Sequence, residues 1–198
     1  MRALMTGVLI ALAGLGLSAC ETIARNGDLP EPTYEEAGRN AFSQANYQAV
    51  AELMKRYGTL ASVNNRPESV AAPFIVATVA NIDHLEQSST LGRLISEQVS
   101  SRLSQMGQQV VELKLRNGIY MKRNEGEFLL TREIKEVASA HRAQAVVLGT
   151  YAESASYLHV SLKLVDPASS MILSAHDYTL PLDRQVRSML KKAPGSGR

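Results

Sequence analysis

PFIVATVANI, residues 73–82, is almost continuously apolar and rich in β-branched side chains. A strand with one wet face would alternate, so an unbroken run of this length reads as a strand covered on both faces. That reading calls for helices on either side of a sheet, and the flanking sequence supplies them. After the polar loop DHLEQSS (83–89) comes TLGRLISEQVSSRLSQMG (90–107), where Leu91, Leu94, Ile95, Val99, Leu103 and Met106 recur at helical spacing and Gly107 supplies the stop. QVVELKL (109–115) is then a second strand. A strand, helix and strand joined at this length make a right-handed parallel crossover.

Further along, Thr131 is the expected N-cap of a helix in TREIKEVASAH (131–141), with Ile134, Val137, Ala138 and His141 on one side. AQAVVLGTYAE (143–153), YLHVSLKLVD (157–166) and MILSAHDYTL (171–180) read as three strands of a meander, joined by SAS and PASS. In the middle one, Leu158, Val160, Leu162 and Leu164 alternate with Tyr157, His159, Ser161 and Lys163, giving a core face and a wetter one. Upstream, Thr33 and Glu36 form a T-x-x-E capping box, and Ala37, Ala41, Ala45, Ala49 and Leu53 follow at steps of four. One helix from about Tyr34 to Tyr57 is expected, and NNRPES (64–69) then breaks the chain. The fold class is α/β: a single domain with a mixed five-stranded sheet in the order β-α-β-α-β-β-β, packed by helices and preceded by an N-terminal helix.

The amino terminus has its own logic. Arg2 precedes an apolar run of 11 residues, Gly7 to Leu17, which suits a secretory signal and falls short of the ~20 residues of a membrane span. Leu17, Ser18, Ala19 and Cys20 then resemble the lipobox of bacterial lipoproteins, and Cys20 is the sole cysteine. The resemblance implies cleavage before Cys20, a diacylglyceryl thioether on its sulfur, and acylation of the new amino terminus by a palmitate-like chain. Two or more acyl chains hold a protein firmly, whereas one holds it marginally. Glu21 stands where an inner-membrane lipoprotein commonly carries Asp, which favours the outer membrane with the chain facing the periplasm. The expected organisation is a signal peptide (1–19), a lipidated tether (20–32), an N-terminal helix and linker (33–66), an α/β domain (70–183) and a flexible tail (184–198). A flexible tether of about 12 residues spans roughly 20 Å, which keeps the domain near the membrane.

Composition removes several classes of function. Loss of the signal takes only Arg2 from a formal charge of +2, so no broad positive field remains to attract nucleic acid. The single cysteine is spent on lipid, so no disulfide is available. SSTLGR (88–93) follows a strand and opens a helix, yet lacks the spacing of a phosphate-binding loop; capping, with close helix packing at Gly92, explains it. His159 and His176 lie on neighbouring strands, and register decides whether they face each other. No His-x-His, His-Glu-x-x-His or G-x-S-x-G pattern is present. The chain reads as a non-enzymatic protein with no metal and no cofactor other than the lipid on Cys20.

SSTLGRLISEQVSSRL (88–103), GEFLLTREIKEVA (126–138) and VVLGTYAESASYLHVSLKLVDPASSMILSAHDYTL (146–180) stand in an order and spacing that carry a family likeness. From about Ala45 to Leu182 the chain resembles the FlgO family of flagellar outer-membrane lipoproteins. The resemblance implies a domain like the amino-terminal domain of TolB and like periplasmic regulatory lipoproteins. It also implies assembly with flagellar basal-body or collar proteins, other lipoproteins among them, in support of motility; self-association is compatible with it. The alternative function is regulation of a peptidoglycan synthase or another envelope machine. In either case the protein would act by presenting a surface, and the candidate partner surface joins DHLEQSS, Arg93 and KRNEGEF (122–128), with Glu125, Glu127 and Phe128 as its contact residues.

Overall fold

The computed structural model describes residues 32–63, 72–85, 89–111 and 132–190. The expected capping box forms: the Glu36 backbone N–H donates to Thr33 Oγ1 at 3.2 Å, and the Thr33 N–H donates back to Glu36 Oε2 at 2.8 Å. The Thr33 N–H, and after it the Thr33 hydroxyl donating to the same Oε2 at 3.0 Å, hold the Glu36 carboxyl below its usual range. The helix they start, α1 (Tyr34–Gly38), is only five residues long and buries none of them. It belongs to a separate unit, Met1–Gly38, and the rest of the chain forms a second unit, Arg39–Arg198.

The single helix expected from Tyr34 to Tyr57 is therefore two. Glycine weakens a helix interior by about 1 kcal/mol, and asparagine favours the cap position. Accordingly Gly38 ends α1, and Asn40 Oδ1 accepts the Ser43 N–H at 3.2 Å to start α2 (Ala41–Val63). Phe42, Ala49, Val50, Leu53 and Met54 on α2 are buried in the same core as the sheet. The α/β unit thus begins at Arg39 and not at residue 70, because a stripe this apolar cannot be left without a packing partner.

The sheet is built from β1 (Phe74–Val76), β2 (Ala80–Asn81), β3 (Val110–Val111), β4 (Ala145–Glu153), β5 (Tyr157–Val165) and β6 (Ile172–Pro181). Its order is β3-β1-β4-β5-β6, with β2 also pairing with β4. The pairings of β1 with β3, β1 with β4 and β2 with β4 are parallel, and β4, β5 and β6 form the expected antiparallel meander. Among the described residues the sheet has six strands and not five, because the run at 73–82 does not stay straight. Val76 pairs with Val147 and Ala80 with Thr150, so three residues of one strand face two of its neighbour. That extra residue is a bulge. Its freed backbone groups are met by helix α3 (Thr90–Gln105): Ser96 Oγ accepts the Val79 N–H at 2.8 Å and lies 3.2 Å from the Ala77 carbonyl oxygen.

Two glycines let the bulge fit. A Cβ on Gly92 of α3 would overlap the Val79 carbonyl oxygen, and one on Gly149 of β4 would come within 2.7 Å of Val79 Cγ2 and 2.9 Å of Leu162 Cδ2. α3 otherwise follows the sequence. Leu91, Ile95, Val99 and Leu103 are fully buried, Leu94 is half-buried, and Glu97 is exposed. Gly107, at φ +80°, ends it, with the Gln108 N–H bonded to the Leu103 carbonyl and the Gly107 N–H to the Ser104 carbonyl, and this turn leaves Met106 at the cap half in solvent.

One face of the sheet is packed by α2, α3 and α5 (Arg184–Leu190) around Phe74, Val79, Val147, Leu162 and their neighbours. On the other face α4 (Arg132–Ala140) sets Ile134 and Ala138 against Ile75, Val146, Leu148 and Val165. His141, expected on that apolar side, lies past the end of α4 and is exposed. α5 occupies residues expected to form part of a tail. Asp183 Oδ1 caps it by accepting the Val186 N–H at 2.8 Å, and Val186 is buried in the core.

Candidate functional site

α4 has nine residues and is about 13.5 Å long, whereas β5 and β6, with nine and ten, run for about 30 Å. Among the described residues the helix packs against the Ile75, Val146, Leu148 and Val165 end of its face. Beyond it, register lays the outward side chains in rows. Ala152, His159 and Thr179 form one row, and Thr150, Ser161 and Asp177 the next. Lys163 follows, between Leu148 and Ala175. Ile82, 53% exposed, borders these rows beside β4, and Tyr157, 54% exposed, extends them along β5. Ile82 and the first two rows line an open groove of about 550 Å³, and Lys163 and Tyr157 lie beyond its lining.

Among the described residues, no side chain of Thr150, His159, Ser161, Lys163, Asp177 or Thr179 makes a hydrogen bond or ion pair. On the opposite, packed face several polar side chains are paired. Tyr178 Oη donates to Asn46 Oδ1 at 2.5 Å, Asn46 Nδ2 to Gln98 Oε1 at 2.6 Å, and Gln98 Nε2 to Ser43 Oγ at 2.9 Å, which ties α2, α3 and β6 together. Ser89 caps α3 by accepting the Gly92 N–H at 3.0 Å and also accepts the Tyr151 hydroxyl at 2.8 Å. Ser174 Oγ donates to the Leu53 carbonyl at 2.9 Å.

Burial pushes the Tyr178 hydroxyl far above the ordinary tyrosine range, and burial also raises Tyr151, partly offset by its bond to Ser89. The unfolded chain loses these protons near pH ~10, where the folded chain still holds them. Their stabilisation is complete below pH ~10 and declines as pH rises above it. Urea midpoints measured from pH 9 to above 11 should fall more steeply for the wild type than for Tyr178→Phe. The Phe variant should be weaker by about 1–3 kcal/mol at neutral pH, because buried Asn46 loses a donor.

Of the residues singled out in the sequence, Arg93 is exposed on the first turn of α3, its guanidinium 3.4 Å from Thr90 Oγ1. Cys20, Glu125, Glu127, Phe128 and the cap Thr131 lie outside the described residues. Arg132 points to solvent and pairs with Glu136 at 2.9 Å. His159 pairs with Thr179 and His176 with Leu162, so the two imidazoles sit on opposite faces of the sheet and share no site. Among the described residues no three His, Cys, Asp or Glu side chains gather as metal ligands. The open rows were visible in the sequence only as the polar alternation of the middle strand; Thr150, Asp177 and Thr179 join it through pairing.

The sequence model described as FlgO protein matches residues 47–185. No curated protein sequence matches the chain. Among solved structures, the LpoB C-terminal domain from Salmonella enterica is similar at 12% identity and a TM-score of 0.47, over 71% of this chain and 98% of that one. The LpoB C-terminal domain from Escherichia coli gives 10% and 0.41, over 66% and 96%. Lipoprotein GNA1162 from Neisseria meningitidis gives 14% and 0.42, over 63% and 86%.

Proposed function

Because the chain belongs to the FlgO protein family, we propose that it is an outer-membrane-anchored lipoprotein that assembles with partner proteins around the flagellar basal body and supports motility. The observation that carries this is the family match over residues 47–185, which runs from α2 through the whole sheet into α5. The lipobox-like segment at Cys20 supplies the anchor. Among the described residues no helix is long and apolar enough to cross a membrane.

The protein acts without catalysis, as a rigid sheet and helix scaffold that offers surfaces to neighbours. Arg93, with Glu125, Glu127 and Phe128, remains the surface for flagellar or lipoprotein partners. Deletion of the gene should abolish or sharply reduce swimming in soft agar while leaving growth rate and resistance to osmotic lysis unchanged. Normal swimming combined with lysis under osmotic stress would replace this reading by regulation of a cell-wall synthase.

A further inference from the structure

We propose that the open half of the sheet, where β4, β5 and β6 emerge from under α4, binds an uncharged, hydroxyl-rich glycan chain, that of the cell wall. Three observations carry this. The groove, at about 550 Å³, is within the size range of ligand sites, and it stands on the backbone of three paired strands, so its floor is preorganised. Its polar side chains are unpaired within the described residues, and their chemistry is mixed: Thr150, Ser161 and Thr179 both donate and accept, while the Asp177 carboxylate only accepts. A sugar ring carries hydroxyls of both kinds around its rim and C–H groups on its faces. Just beyond the lining, two residues along β5 from His159 and on the same side, the half-exposed ring of Tyr157 offers a surface for those C–H faces.

Charge selects among ligands. Among the described residues no Lys or Arg lines the groove and Asp177 does, so it offers no cationic side chain to phosphate, nucleic acid or an anionic lipid headgroup, and the Asp177 carboxylate repels an anion. A protein interface concentrates apolar and aromatic groups at its centre and polar ones at its rim. Here the order is reversed: Thr150, Ser161 and Asp177 hold the centre, with Ile82 and Tyr157 at the borders.

The test uses the full lipidated chain in detergent, spun down with purified peptidoglycan sacculi stripped of protein. The wild type and Glu97→Ala, altered on the exposed side of α3, should co-sediment, and soluble oligomers of N-acetylglucosamine should compete. Asp177→Ala, Ser161→Ala and Tyr157→Ala should each weaken binding about fivefold or more, the loss expected for one hydrogen bond or stacking contact, with melting temperatures near wild type. These are surface positions, and the three variants give independent readings if one folds poorly. Failure of the wild type to sediment, equal binding by all variants, or binding only to sacculi that retain protein would overturn the proposal. None of these outcomes depends on the flagellum, so the glycan site and the motility function fail or stand separately.

Discussion

Ile95→Asp is expected to leave the chain unfolded at 25 °C. Ile95 is fully buried in the second turn of α3, between Leu91 and Val99 on the stripe that faces the sheet. The substitution removes the transfer energy of a large aliphatic side chain and places a carboxylate where no cation is available among its core neighbours. Losses above about 4–5 kcal/mol are exceptional for one substitution and arise by this mechanism, and a domain's whole stability is only about 5–15 kcal/mol. Glu97→Ala, two residues away on the exposed side, should shift stability by less than about 0.5 kcal/mol. Thermal melts of the pair check the phase of α3; comparable losses would show that the helix is rotated from the orientation described.

Gly92→Ala should cost about 3 kcal/mol or more, although alanine is the better helix former by about 1 kcal/mol. The added methyl would overlap the Val79 carbonyl oxygen, which is backbone and is fixed on both sides. Val79 donates its N–H to Ser96, and its side chain fills the space above Gly149. The helix must then tilt away from the bulge, which also breaks the Ser89 cap and its contact with Tyr151. Gly107→Ala, at a positive φ with open space around it, should lose less, through backbone strain alone. A Gly92→Ala protein as stable as wild type would mean that α3 does not approach the bulge so closely.

The elements that depend on local pattern were legible in the sequence. The three meander strands fall within two residues of their expected ends, because alternation and the SAS and PASS turns both mark them. The bulge was not, since Ala77, Thr78 and Val79 are as strand-like as their neighbours; what bends them is Ser96 and Gly92, contributed from another element. The break at Gly38 to Asn40 was written in the sequence and was masked by the regular spacing of alanines across it. α5 left a signal of the same kind, Asp183 followed by Val186, Met189 and Leu190 at helical spacing. For the site, the wet face of β5 was readable, but the groove was not, because its outline needs the strand register and the short reach of α4.

The central claim is that the chain works for the flagellum from a lipid anchor at Cys20. Its most direct measurement is the swimming of a deletion strain carrying either the wild-type gene or Cys20→Ser at matched protein levels. The wild type should restore swimming and fractionate with the outer membrane, whereas Cys20→Ser should do neither. Full restoration by Cys20→Ser, with the protein recovered in the soluble fraction, would contradict the account.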